Sequence, residues 1–222
     1  MNDLIKIWDE ELVEKHVGTE IKYLIEYFTE NKKLNYIDIG ANVGKFYDVL
    51  SKTYELGDVY MVEPAPQLFE YISEKFKDKP NCRLFNFAVS NKNGETYFQT
   101  ECIEGSTIDR IDMGVSKIHE TNNGHLVQTV SGEYFLTKIV EDLETIDFIK
   151  IDTETHDYLI LESITPIIEK LNKKPFILFE HNYHSMMTDQ EAEKIINEFT
   201  SRCGYENKEF KSLNGDCFIK PL

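Results

Sequence analysis

Positive charge is scarce in this chain: 24 Lys and Arg stand against 40 Asp and Glu, a net charge of −16 over 222 residues. Proteins that bind duplexes or RNA exchange counterions for Lys and Arg along the phosphates, so nucleic acid is a disfavoured partner. An anionic membrane surface is disfavoured for the same reason. No apolar stretch approaches the ~18 residues that a membrane-spanning helix needs. The opening Met1-Asn2-Asp3 runs on to Asp9-Glu10-Glu11 with no basic segment, so no secretory signal is expected. Cysteine is sparse as well. Cys82, Cys102, Cys203 and Cys217 show neither C-x-x-C spacing nor histidine partners at zinc-finger intervals. They read as reduced structural thiols, which makes the cytoplasm the expected setting. Internal repeats and low-complexity tracts are missing too. What remains, 41% hydrophobic and 29% charged residues, is the balance of a soluble globular protein. The length suits one α/β domain over 1–222.

Periodicity outlines that domain. Residues 1–34 carry apolar positions at helical intervals, Leu4, Trp8 and Leu12, then Ile21, Leu24, Ile25 and Phe28, with Gly18-Thr19 expected to separate two helices. A strand over Tyr36–Ile39 precedes a helix through Phe46, Val49 and Leu50. A strand over Val59–Val62 precedes Pro64-Ala65-Pro66 and a helix with Leu68, Tyr71, Ile72 and Phe76 inward. Arg83–Val89 reads as a third strand. This β-α-β-α-β rhythm implies a parallel sheet with right-handed crossovers. It breaks at Asn93-Gly94, a hairpin signal, and residues 91–136 read as an inserted hairpin and loop shaping the substrate site. Alternation resumes with Phe148–Ile151, a helix around Tyr158–Ile164 stopped by Pro166, and Phe176–Phe179. Thr188-Asp189-Gln190-Glu191 has the form of a capping box. The end, Tyr205–Phe210 and Cys217–Lys220 around an Asn-Gly turn, is expected to form an antiparallel hairpin.

Two glycine signatures are also missing, and they narrow the ligand. Tyr36 to Gly44 reads Y-I-D-I-G-A-N-V-G, a strand entering a turn bracketed by Gly40 and Gly44. A dinucleotide fingerprint needs a glycine where Asn42 stands, so that a pyrophosphate can approach the backbone. No G-K-[ST] follows, which removes the phosphate-cradling loop of nucleotide hydrolases. A nucleoside without phosphates fits better. Glu63, nineteen positions beyond Gly44, ends the next strand, where a carboxylate can bind two ribose hydroxyls. S-adenosylmethionine is the commonest cofactor of this kind. Asn42 and the Gly40–Gly44 backbone would meet its methionine part or ribose, and Asn86 and Ala88 lie where adenine would be read. Asp38 would either face the cofactor or receive the turn's own N–H groups.

Ligands of open parallel sheets sit at the carboxyl ends of the strands, and these strands end in acceptors. Lys150 and Asp152 point the same way along one strand, with Glu154 just beyond its tip. Asp152 or Glu154 would hold or deprotonate a substrate hydroxyl; a plain ion pair between Lys150 and a carboxylate is the alternative. His156 is a second candidate base, or an exposed histidine at a helix start. Glu180 and His181, with His184 nearby, form a further cluster. Asp152, Glu180 and His181 together offer a donor set for a divalent cation such as Mg²⁺ or Mn²⁺.

Four segments carry a family resemblance: Asp38-Ile39-Gly40-Ala41-Asn42-Val43-Gly44, Val62-Glu63-Pro64, Ala88-Val89-Ser90 with Gly94 following, and Ile146 to Glu154 (I-D-F-I-K-I-D-T-E). In order and spacing they resemble the FkbM family of S-adenosylmethionine-dependent methyltransferases. The resemblance implies a Rossmann-like class I fold, with a mostly parallel seven-stranded sheet, a C-terminal antiparallel hairpin and helices on both faces. It implies O-methylation, commonly of sugar or polyketide hydroxyls, and the leading expectation is a sugar, glycan or glycosylated small molecule as acceptor. Gly40, Asn42, Gly44 and Glu63 would bind the cofactor, and Asp152 and Glu154 would face the reacting centre. The chain departs from the pattern after Glu154: Thr155-His156-Asp157 stands where the family has Gly, a small residue and Glu. The alternatives are a metal-dependent methyltransferase of catechol-like hydroxyls and a non-catalytic Rossmann-like module binding a nucleotide or a protein. A nicotinamide reductase is the least favoured reading, because Asn42 occupies the crucial glycine position.

Overall fold

The computed structural model describes residues 24, 27, 28, 33–100, 116–119, 125–153, 155–180, 187–206 and 216–222. Its main sheet is built around β1 (Leu34–Ile39), whose residues are almost all buried, as a central strand covered on both faces requires. β1 pairs in parallel with β2 (Leu56–Val62) on one side and β8 (Phe148–Ile151) on the other. β3 (Cys82–Phe85) extends the sheet beyond β2, and β9 (Phe176–Glu180) extends it beyond β8. β10 (Asp216–Ile219) closes that edge antiparallel to β9, giving the order β10-β9-β8-β1-β2-β3.

Alternate residues of these strands feed two cores. On one face Tyr36 stacks on Phe148 with ring centroids 4.6 Å apart. There they meet Phe46 and Leu50 of helix α1 (Lys45–Leu50) and Ile72 of helix α2 (Pro66–Lys75). On the other face Ile37, Ile39 and Ile149 meet helices α4 (Asp157–Ile168) and α5 (Asp189–Cys203). The Thr188 capping box at the start of α5 is present in full.

Seven strands are expected and the main sheet has six among the described residues; two places depart from expectation. First, the stretch read as one strand over Arg83–Val89 is two. Asn86 turns its amide onto the carbonyls of Glu63 (2.9 Å) and Pro64 (3.1 Å), ending β3. The chain then enters β4 (Ala88–Ser90) of a second sheet, ordered β4-β7-β5-β6, with β5 at Gly94–Thr100, β6 at Ser116–His119 and β7 at His125–Ser131. Second, β10 pairs with β9. Of the strand expected over Tyr205–Phe210 only 205 and 206 are described: Tyr205 bridges antiparallel to Pro221, the Glu206 N–H donates to the Lys220 carbonyl at 2.9 Å, and 207–215 lie outside the described residues.

Asn93-Gly94 also departs from expectation. β4 and β5 are not neighbours, because β7 lies between them. The turn passes over the end of β7, and the Asn93 side-chain oxygen accepts the Ser131 N–H at 2.7 Å. Pro166 does not stop α4, which runs on to Ile168. After β7 a short helix α3 (Gly132–Tyr134) passes into a π-turn over Phe135–Ile139 that packs on the α4 face. No helix among the described residues is long and apolar enough to cross a membrane.

Candidate functional site

The strand register assembles the site. Ile39 is level with Val62 and Ile151, Val62 with Phe85, and Ile151 with Phe179. The next residue on each strand therefore falls in one row: Asn86, Glu63, Gly40, Asp152 and Glu180. Five sequence-chosen residues thus share the carboxyl rim of the main sheet. Glu154 and His181 lie outside the described residues.

The turn after β1 is held from below. Gly40 and Ala41 both donate their N–H groups to the Val62 carbonyl, at 2.9 and 3.0 Å. Gly40 has φ +89°, and a Cβ there would lie 1.8 Å from the Asp152 carbonyl oxygen. Only glycine lets the turn touch the end of β8 in this way. Asn42 also has positive φ, +50°, a conformation asparagine tolerates better than most side chains. Gly44 begins α1 at φ +70°, and a Cβ there would run into the Phe76 ring at 2.5 Å. Lys75 Nζ steadies the far side of the turn through the Val43 carbonyl (2.8 Å) and Asp48 (2.6 Å).

Glu63 faces this turn from β2. Its Oε2 accepts the Asn42 N–H at 2.8 Å and its Oε1 the Ala65 N–H at 2.9 Å. Burial pushes its pKa up to about 7; the two backbone N–H groups pull it down, and the neighbouring Asp38 charge adds to the rise. Each oxygen keeps a second lone pair for a ligand donor.

Asp38 receives none of the turn's N–H groups; Glu63 takes the one from Asn42. Asp38 is fully buried beneath the turn and faces Lys150, its register partner on β8. Lys150 Nζ lies 3.5 Å from Asp38 Oδ1 and 2.8 Å from Asp152 Oδ2. Burial raises the Asp38 pKa, with the Lys150 charge opposing it. The ion pair anticipated for Lys150 is therefore real, and Lys150 anchors Asp152 at its base. The Asp152 side chain remains 40% exposed.

The segment after Asp152 folds back on itself. Thr153 donates its hydroxyl to Asp157 at 2.8 Å, and the His156 N–H reaches Thr153 Oγ1 at 3.3 Å. Thr155, His156 and Asp157 are all buried, so His156 is not the exposed helix-start residue of the alternative reading. Its Nδ1 lies 2.8 Å from Ser90 Oγ of β4. Burial lowers its pKa to about 4, with Lys92 adding to the fall. Asp157 is pushed up to about 7 by burial, and the Asp152 charge adds to the rise. Ala88, expected near adenine, is buried against Ala65, Phe98 and Val127 at the start of β4.

Sequence reading passed over Asp157 and Lys75. Asp157 had a signal, since an acidic residue in the first turn of a helix and four positions after a threonine is placed to close the loop. Lys75 had none; its contacts lie 27 and 32 residues away.

Several acceptors on this rim are buried without a hydrogen-bond partner: both oxygens of Asp38, Asn42 Oδ1, Thr155 Oγ1 and His156 Nε2. Native folds rarely leave such atoms unsatisfied, at ~1–3 kcal/mol each, unless a ligand or an ordered water uses them. Among the described residues no group of three or more His, Cys, Asp and Glu is arranged to hold a metal ion.

Comparison with known proteins bears on this geometry. The model of the methyltransferase FkbM domain matches residues 38–206, well over half the chain. The chain belongs to the FkbM methyltransferase family. The structure of methyltransferase FkbM from Methylobacillus flagellatus KT is similar, with a TM-score of 0.55 at 15% identity over 84% of this chain. The match spans 43% of the length of that protein. The methyltransferase domain of bacterial CtHen1-C superposes with a TM-score of 0.50 at 12% identity, covering 95% of this chain and 98% of that one. Aeropyrum pernix fibrillarin, solved with natively bound S-adenosyl-L-methionine, has a TM-score of 0.48 at 11% identity, covering 85% of this chain and 66% of that one. No curated protein matches the chain. The class I methyltransferase architecture is thus present, in six strands.

The rim residues of this FkbM-family chain fit S-adenosylmethionine. The ligand is a cation carrying a diol, and the rim offers acidic groups and partnerless acceptors around Glu63. Glu63 and Asn42 would hold the nucleoside, with the Gly40–Gly44 backbone beneath it.

Proposed function

We propose that this chain is an O-methyltransferase that transfers the methyl group of S-adenosylmethionine to a hydroxyl of a sugar, a glycan or a glycosylated small molecule. The observation that carries the reading is Asp152: a half-exposed carboxylate, anchored by Lys150 at 2.8 Å and one residue past the end of β8, against the turn beside Glu63. When bound, S-adenosylmethionine supplies a methyl carbon made electrophilic by its cationic sulfur. The protein's contribution is mainly alignment, which can supply ~7–11 kcal/mol of the barrier. Glu63 fixes the nucleoside through its sugar hydroxyls, and the Gly40 contact fixes the distance from that pocket to Asp152. Transfer would join the methyl carbon to the acceptor oxygen and leave the electron pair of the C–S bond on sulfur. The hydroxyl proton passes to Asp152, an effect worth ~10²–10⁴-fold. Glu154, Glu180 and His181 are the further groups assigned to the acceptor side.

Labelled methyl transfer to a panel of methyl glycosides and oligosaccharides tests the reading. Transfer is expected to survive excess EDTA. Asp152→Asn is expected to lower kcat by ~10²-fold or more while leaving cofactor affinity within twofold. Equal loss of both would move Asp152 into the cofactor site, and label appearing only on catechols would sink the sugar assignment. Turnover that EDTA abolishes and Mg²⁺ restores would replace this reading with a metal-dependent one.

A further inference from the structure

The segment Thr155-His156-Asp157 leads from the carboxyl rim into α4, and the structure gives it a definite geometry. His156 begins α4, a 12-residue helix, and its ring bridges to β4 of the second sheet. Ser90 and His156 are 3% and 7% exposed. Ser90 Oγ lies 2.8 Å from His156 Nδ1 and donates to Asn91 Oδ1 at 3.4 Å. A side-chain carbonyl oxygen only accepts, so in the arrangement that gives the single Ser90 proton to Asn91, Ser90 Oγ accepts from His156 Nδ1–H. That leaves Nε2 as the unprotonated nitrogen, and it is buried with no partner. Thr155 Oγ1, one residue earlier, is a second buried atom without a partner. The helix N-terminus itself is taken: Asp157 receives the Thr153 hydroxyl there, and its acidic group makes the place unsuited to an anion. A neutral donor suits it.

We propose that His156 Nε2 accepts a hydrogen bond from a second hydroxyl of a polyol acceptor, next to the hydroxyl that is methylated. Ser90 and Asn91 act as positioning residues that hold the ring in this tautomer. The inference rests on the methyltransferase reading and deepens it, naming a vicinal diol as the recognised unit. The lowered pKa of His156 keeps the ring neutral at working pH, so the acceptor nitrogen is present throughout.

The experiment is ¹⁵N NMR of histidine-labelled full chain. The His156 spectrum is expected to show a protonated Nδ1 and an unprotonated Nε2. Ser90→Ala is expected to mix the tautomers, and Ser90→Thr to restore the pattern. The opposite tautomer in the wild type, or no change in Ser90→Ala, overturns the positioning role and the inference with it. The protein is then saturated with S-adenosylhomocysteine and titrated with methyl glycosides of glucose, galactose, mannose and rhamnose. At least one glycoside is expected to shift the Nε2 resonance, and His156→Phe to weaken that glycoside roughly tenfold at unchanged S-adenosylhomocysteine affinity. If S-adenosylhomocysteine binds but no glycoside moves Nε2, the inference falls and the cofactor assignment stands. If S-adenosylhomocysteine does not bind, the methyltransferase reading falls and takes the inference with it.

Discussion

The two rims of the main sheet are made of the same residue types and end in opposite states. At the amino rim Asn35 uses every polar atom: its N–H goes to Asp147 (3.0 Å), its amide to the Thr145 carbonyl (3.2 Å), and its side-chain oxygen accepts from Asp58 N–H (2.8 Å). Lys173 completes Asp147 at 2.9 Å, and Glu144 takes the N–H groups of Asn172 and Lys173. At the carboxyl rim Asp38, Asn42, Thr155 and His156 keep buried acceptors without hydrogen bonds. One end of the sheet uses its polarity to fix the fold. The other holds it in reserve for something that arrives.

The contrast can be attacked at either end, and the largest effect is expected at Gly40. Gly40→Ala places a methyl 1.8 Å from the Asp152 carbonyl at φ +89°, so fold and site should fail together. A loss of ~4 kcal/mol or more in urea unfolding, with no detectable S-adenosylhomocysteine binding, is the outcome to look for. Glu63→Ala should weaken S-adenosylhomocysteine by ~100-fold or more in isothermal titration while the protein stays folded. Affinity unchanged in that variant would remove Glu63 from the nucleoside site. Asp147→Ala, at the opposite rim, should do the reverse: it costs about 2–3 kcal/mol of stability, since the Asn35 N–H loses its partner, yet leaves cofactor affinity intact.

The smallest effect concerns pH. Between the ordinary carboxyl pKa values, 4.5 for Glu63 and 3.8 for Asp157, and about 7, the ligand-free fold keeps protons that the unfolded chain has lost. Its stability should therefore fall as pH rises through that window and level off above it. Cofactor affinity should move the other way, tightening by about tenfold from pH 6 to pH 8 as Glu63 ionises to meet its donors. Glu63→Gln should flatten the affinity profile and leave the Asp157 part of the stability profile.

What could be read in advance follows the same division. The rim was legible because its causes are local: Gly40 and Gly44 mark positions of positive φ, and strand ends one residue past a buried run are easy to place. The pairing of strands was less legible. Arg83–Val89 is strand-like throughout, and only the Asn86 amide, reaching carbonyls 22 and 23 residues earlier, ends the first piece. Asn93-Gly94 has hairpin chemistry, but β7, some thirty residues later, takes the place between its arms. Pro166 looked like a stop, yet α4 carries it two residues from its end. The burial of His156 depends on Ser90, 66 residues away, and nothing near either residue announces it.

Helix α4 is gripped at two levels. Its first turn is tied to β4 through His156, and farther along the helix Gly132 lies so close that a Cβ would come within 2.6 Å of Ile164. A wall clamped twice has little room to adapt its shape to whatever lands on it. Choice among acceptors should then depend on which stereoisomers match a fixed template, and should vary little with temperature.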